Sequence, residues 1–290
     1  MNVFIVYAHP EPRSLNGALK DLAVETLTGL GHAVEVSDLY AMGWKAGADG
    51  ADFLDRADPG RLSYIRESGH AFATGTQTPE VAAEQEKLLW ADAVILQFPL
   101  WWFSLPAILK GWVDRVFAYG FAYGVGPHEG ERWGDRYGEG ELAGRRAMLS
   151  LTMGGREPHY SERGVNGRLD DVLFPIQHGI LFYPGMAVLP PHAVFQTDRV
   201  SDERWREIAG GWRARLRGLF DEAPIPYRRQ NAGHYDGRQV LKPGLGAGEG
   251  GTRIHLVQPG EPPERAGGRA GGRAPEGASG RKNGCEAEAL

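Results

Sequence analysis

The sequence predicts a doubly wound α/β domain on a five-stranded parallel sheet in the order 2-1-3-4-5. Three observations predict it. Short β-branched and aromatic runs recur at Val3–Ala8, His32–Leu39, Ala93–Leu96, Arg145–Thr152 and Ala187–Gln196. Stretches with apolar residues at three- and four-residue spacing alternate with them, the pattern that forces strands into parallel register with helices packed on both faces. Runs also stop abruptly, at His9-Pro10, at Pro99 and at Met153-Gly154-Gly155, as buried strands do when they feed a ligand-binding loop.

The first run is followed by Leu15, Ala18, Leu19, Leu22, Leu27 and Leu30, a helix closed by Gly31. With His32–Leu39 this makes a βαβ unit, whose crossover is right-handed. Residues 38 to 78 have mixed polarity and many Gly and Asp, and read as a long surface excursion with a short helix from Leu62 to His70. Glu80–Trp90 is a helix that feeds the central stretch, Ala91–Tyr123. There the Ala93–Leu96 strand, the Pro99-Leu100-Trp101-Trp102-Phe103 loop and a helix from Pro106 to Tyr119 follow in order, with Gly120 ending the helical pattern.

The Gly-rich run from Gly124 to Gly134 reads as a loop. After the fourth strand, Leu169–Ile180 is a helix interrupted by Pro175, and Pro190-Pro191 put the last strand at a bend or an edge. Ser201 caps a final helix with Trp205, Ile208, Trp212, Leu216 and Leu219 on its apolar face. These elements make residues 1–230 one domain. Residues 231–290 are rich in Gly, Arg and Pro and poor in large apolar residues, the composition of a largely disordered tail. Thr252–Val257 is the stretch of that tail with the makings of an edge strand.

Composition narrows the function. A net charge of -5 and a pI near 6.0 give no basic field for nucleic acid. The opening apolar run is too short for a signal peptide or a membrane span, so no membrane insertion and a cytoplasmic location are expected. The single cysteine, Cys285, excludes an intrachain disulfide and a multi-cysteine metal site, and no metal site is expected. No Gly-x-Gly-x-x-Gly follows the first strand and no Gly-x-x-x-x-Gly-Lys occurs, which argues against a Rossmann dinucleotide site and a P-loop.

A phosphate site is built differently here. His9, Arg13, Ser14 and Asn16 surround the start of the first helix, where free N–H groups and the positive dipole end attract an anion. Ser14 is equally suited to be a plain helix cap. Trp101, Trp102 and Phe103 at a strand end suit a flat, π-rich ring, and equally suit a core that happens to end there.

Five motifs in order then carry a resemblance. His9-Pro10-Glu11-Pro12-Arg13-Ser14-Leu15-Asn16, Ser37–Met42, Gln97–Phe103, Pro106–Trp112 and Phe121-Ala122-Tyr123, together with Thr152-Met153-Gly154-Gly155 and Tyr160, resemble the NAD(P)H:quinone oxidoreductase (DT-diaphorase) family. The resemblance implies a flavodoxin-like fold that holds FAD, with FMN possible, and uses NAD(P)H as co-substrate. His9, Ser14, Leu15 and Asn16 would surround the flavin phosphates. Pro99, Leu100, Trp101, Trp102 and Phe103 would line the ring system, and Thr152, Met153, Gly154 and Gly155 its pyrimidine edge. Tyr160 would hydrogen-bond the flavin, and Trp102, Phe103, Tyr123 and Tyr160 would contact the quinone-like acceptor, Tyr123 from the neighbouring subunit of a homodimer. The family's catalytic pair is a Tyr followed six residues later by a His. Here the pair is Tyr160 and Asn166, and an amide cannot take up a proton's charge. An ancillary subunit of an ion-transport system and a flavodoxin-type electron carrier stay open as alternative functions.

Overall fold

The computed structural model describes residues 1–129 and 132–264. Four full strands, β1 (Asn2–Tyr7), β2 (Ala33–Asp38), β3 (Ala93–Pro99) and β4 (Arg146–Thr152), and two short ones, β5 (Ala187–Val188) and β6 (His192–Val194), form one sheet. Its order is β2-β1-β3-β4-β5 with every pairing parallel, as the sequence predicts. The expected fifth strand is split. Both β5 and β6 pair with β4, and Leu189-Pro190-Pro191 interrupts them because proline offers no N–H to the ladder.

Strand alternation builds two cores. Phe4, Val6, Val94, Leu96, Phe98, Ala147 and Leu149 point to one face, where α3 (Pro79–Trp90) and α4 (Ala107–Val116) cover them. Val3, Ile5, Ala93, Ile95 and Met148 point to the other, where α1 (Leu15–Gly29) and α6 (Asp202–Arg217) pack. β3 is buried along its whole length. Its near-continuous apolar run is therefore what a central parallel strand requires.

The excursion is more ordered than its composition suggests. α2 spans Tyr64–Thr74, and buried carboxylates tie the loop down. Asp52 takes bonds from Arg115 Nε (2.9 Å) and the Tyr64 hydroxyl (2.9 Å), and Glu67 accepts the backbone N–H groups of Ala57 and Asp58. The predicted helix across Pro175 ends earlier, as α5 (Leu169–Ile176), and continues as a π-helical segment, Gln177–Phe182. The missing proline N–H costs an i to i−4 bond, and a wider turn follows at once.

Residues 231–264 differ from the disordered tail expected from composition, while 265–290 lie outside the described residues. Tyr227 forms an antiparallel bridge with Leu256, and Val257 N–H donates to the Pro226 carbonyl at 2.8 Å. Thr252–Val257 does dock, but as a 3-10 turn (Gly251–His255) followed by this bridge, outside the sheet. Arg228 is fully buried and joins the segment through Glu261 Oε2 (2.6 Å), the Ile254 carbonyl (2.8 Å) and His234 Nδ1 (3.1 Å). Polar groups satisfied inside the segment thus supply order that an apolar count misses.

Candidate functional site

In a parallel sheet the strand ends that carry ligand loops all point one way. After β1 the chain turns through His9–Arg13 into α1. Ser14 is the cap: its Oγ accepts the Gly17 N–H at 3.1 Å, and no acidic residue occupies the first turn. A side chain at 17 would collide with the Pro12 carbonyl, its Cβ falling 1.9 Å from that oxygen, so glycine is what allows the loop to close over the helix start. Both contacts of the His9 ring to the Glu11 backbone, at 3.0 and 3.1 Å, use Nδ1. Nε2 has no hydrogen-bond partner among the described residues. Glu11 is ionised beside this helix start, hydrogen bonds from Arg13 lowering its carboxyl to about 2, and the Arg13 guanidinium pairs its charge at 2.9 Å.

Asn16 does something the sequence does not foretell. It is 3% exposed and its amide bridges two strand ends, receiving Gln97 Nε2 on Oδ1 at 2.7 Å and donating Nδ2 to Thr152 Oγ1 at 2.7 Å. Its side chain is thereby committed inward, and only its backbone faces the helix start. Leu15 is half-buried against the α1–α6 core. Gln97 is the site residue that strand reading misses. The available signal is an amide inside an otherwise apolar buried strand, and its Oε1 is buried with no partner.

Pro99 and Leu100 are buried at the end of β3, with Leu100 N–H on the Thr152 carbonyl at 2.8 Å. The chain then makes a tight turn, closed by Ser104 N–H to the Trp101 carbonyl at 3.0 Å. Trp102 and Phe103 are both left-handed, at φ 50° and 60°, as the two central residues of a type I′ turn must be. Large side chains pay for that conformation at about 1–2 kcal/mol each. Trp102 is 94% exposed. The turn spans the site: Trp101 lies 6.1 Å from the His9 ring and Phe103 6.4 Å from Tyr160.

After β4, Thr152 and Met153 are buried, while Gly154 and Gly155 emerge. A Cβ on Gly155 would lie 2.9 Å from the Tyr160 ring, and one on Gly154 3.0 Å from Asp198. Two glycines therefore keep open a cradle between Tyr160 and the chain after β6. Tyr160 ends the 3-10 turn Glu157–Tyr160 and also meets Phe195, ring to ring at 5.8 Å. Asn166 closes the same loop through its backbone, N–H to the His159 carbonyl at 3.0 Å.

His9, Ser14, Trp101, Trp102, Phe103, Gly154, Gly155 and Tyr160 thus converge on the carboxyl edge of β1, β3 and β4. Tyr123 does not join them within one chain. It packs edge-on against Tyr119 at 5.5 Å, beside α2, and burial pushes its hydroxyl pKa up. A flat heterocycle with a phosphate tail fits what is present: the N–H groups at the start of α1 that the Ser14 cap leaves untaken, an exposed aromatic turn and a glycine cradle.

Residues 1–216 match the family model described as a flavodoxin-like fold. A ribosyldihydronicotinamide dehydrogenase-like protein of Penicillium crustosum is 55% identical over 235 residues, 81% of this chain and 87% of that one. The human ribosyldihydronicotinamide dehydrogenase [quinone] is 41% identical over 225 residues, covering 77% of this chain and 94% of its own. A crystal structure from Klebsiella pneumoniae, described as a candidate quinone reductase, superposes with TM-score 0.87 at 55% identity, over 89% of this chain and 100% of that one. The architecture, the strand-end loops and these relatives agree: the chain belongs to the flavodoxin-like family of NAD(P)H and ribosyldihydronicotinamide quinone dehydrogenases.

Proposed function

We propose that this protein is a flavin-dependent quinone reductase that oxidises a reduced nicotinamide and reduces a quinone in alternating half-reactions. The convergence of the helix start, the aromatic turn and the glycine cradle on one sheet edge carries the reading. The balance is NAD(P)H plus quinone plus one proton to NAD(P)⁺ plus hydroquinone. Bound flavin supplies the two-electron exchange between donor and acceptor, which no side chain can perform.

The chain's own groups do the rest. The N–H groups at the start of α1 and His9 Nε2 would hold the phosphate end. Trp101, Trp102 and Phe103 would line one side of the ring, exclude water from it and offer aromatic faces to a donor or acceptor. The Gly154 and Gly155 N–H groups and the Tyr160 hydroxyl would stabilise negative charge at the pyrimidine edge, the Met153 N–H being taken by the Val194 carbonyl. Asn166 sits in the same loop as a neutral partner that can donate but not titrate. FAD is the flavin the motif resemblance favours.

A cytoplasmic homodimer is part of the reading. Support for the dimer comes from Trp102, Phe103 and Tyr119, which are 94%, 50% and 40% exposed on one chain and are costly to leave in water. Among the described residues no helix is long and apolar enough to cross a membrane.

The test is direct. Flavin released from the purified protein is identified by mass, its mass in solution is measured, and quinone-dependent oxidation of NADH, NADPH and N-ribosyldihydronicotinamide is followed. A protein that binds flavin but oxidises none of the three donors with a soluble quinone refutes the enzymatic reading.

A further inference from the structure

A cavity of about 390 Å³ beside the C-terminal segment takes no part in the chemistry above. Its wall is aromatic. His178, on the π-helical segment after α5, is stacked between Phe174 (ring centroids 4.5 Å, planes 12° apart) and Tyr137 (4.7 Å, 27°). Tyr235 and His255 also line it, joined by a 2.8 Å hydrogen bond between the hydroxyl and Nδ1. Both lie beyond residue 216, where the family match ends, so the C-terminal segment completes this space.

Two polar features of the wall are unspent. Burial, reinforced by the neighbouring His255, lowers the His178 pKa to about 3, so its ring is neutral at physiological pH. Among the described residues neither of its nitrogens has a hydrogen-bond partner. Arg136 bonds only neutral groups, Gln230 Oε1 at 2.6 Å and the Tyr183 hydroxyl at 3.3 Å, and no described carboxylate pairs with it. Arg228, by contrast, is already matched by Glu261. A lined space of this size with one unpaired cation and one free imidazole has the make-up of a small-molecule site.

We propose that this cavity binds a planar aromatic carboxylate bearing a ring hydroxyl, the carboxylate on Arg136 and the hydroxyl on His178. The aromatic wall takes the ring, a guanidinium takes the carboxylate at two points, and a neutral imidazole nitrogen accepts a hydrogen bond from the hydroxyl. The site does not depend on flavin chemistry.

The probe is 4-hydroxybenzoate, titrated calorimetrically into the full-length protein, with 4-hydroxybenzyl alcohol as the uncharged analogue. Wild type should bind the acid at least tenfold more tightly than the alcohol, a difference of about 1.4 kcal/mol. Arg136→Gln should weaken the acid at least about tenfold and leave the alcohol unchanged, and His178→Phe, which keeps the stack, should weaken both. Saturating flavin should not displace the acid. Equal binding of acid and alcohol, a Kd for the acid above about 1 mM, or displacement by flavin overturns the proposal, and the analogue comparison stands even if a variant fails to fold.

Discussion

Asn16→Ala is the most informative single substitution, because it removes both ends of one buried bridge. Gln97 Nε2 and Thr152 Oγ1 each lose a 2.7 Å bond, and Gln97, 1% exposed, already has an unpartnered Oε1. A buried polar group left unsatisfied costs about 1–3 kcal/mol, so two cost about 2–6. Alanine returns roughly half a kcal/mol as a better helix former. The expected net loss is about 2–5 kcal/mol, read in the flavin-free protein as a lower urea midpoint at unchanged slope. Asn16→Asp separates stability from binding. The carboxylate still accepts from Gln97 and the Thr152 hydroxyl can rotate to donate, so stability should fall less, yet a negative charge in the first turn of α1 should repel the flavin phosphate. Flavin affinity, measured by fluorescence quenching, should therefore drop at least about tenfold in the Asp variant. An Ala variant within about 0.5 kcal/mol of wild type would mean that the bridge carries no stability and the reasoning from orphaned groups is wrong.

Trp102→Gly should stabilise the flavin-free protein by about 1 kcal/mol, since glycine accepts φ 50° without strain, and should weaken flavin binding; thermal unfolding and a flavin titration check the two signs. Truncation after Gly244 removes Ile254, Leu256 and Glu261, the groups that hold Arg228 and Tyr227, so it should lower the melting temperature, and a truncated protein that melts with the full chain refutes the assignment. Burial alone would raise the Glu261 carboxyl, but the N–H groups of Gly246 and Gln258 and the Arg228 guanidinium outweigh it and hold the pKa at about 2. A folded value below the unfolded one means that this stability is present above about pH 4.5 and is lost as pH falls toward 2; Glu261→Gln should flatten the melting temperature across that window. Tyr160→Phe should slow flavin reduction by roughly 10- to 1,000-fold with little change in nicotinamide binding, and Asn166→His should make that rate pH-dependent between about 5.5 and 7.5, both followed by single-turnover flavin absorbance.

The sheet was legible because its signal is local and strong. Val3–Tyr7, Ala93–Phe98 and Ala147–Leu151 are apolar on both faces but for Gln97 and Ser150, and parallel pairing with covering helices is the arrangement that hides both. The split of the last strand and the π-helical segment after Pro175 were legible only as trouble at a proline, since sequence marks where a ladder breaks but not how the chain repairs it. The site residues on loops were named by motif, but Asn16 shows the limit of that route. Its type suits a phosphate or an internal bridge equally, and only its partners on β3 and β4 decide which way the amide points. Residues 231–264 escape a reading from composition for a related reason: composition counts apolar area, whereas Arg228, His234 and Glu261 fold the segment through matched polar groups whose pairing no residue count reveals.

The strain in the aromatic turn is where fold and function meet most directly. Nothing in the packing of the sheet requires Trp102 and Phe103 to be left-handed, and glycine at either position would fold at lower cost. The conformation persists because its neighbours fix it: Leu100 is tied to Thr152 on β4, Ser104 closes back on Trp101, and Pro106 leads straight into α4. What this costly arrangement achieves is to hold two large rings outward at the end of a wholly buried strand, between the loop after β1 and the loop after β4. A chain selected for stability alone would bury or replace them. Strain kept by rigid surroundings beside exposed rings is the expected signature of a surface prepared for a flat partner, so the free energy lost in the turn should reappear as flavin affinity.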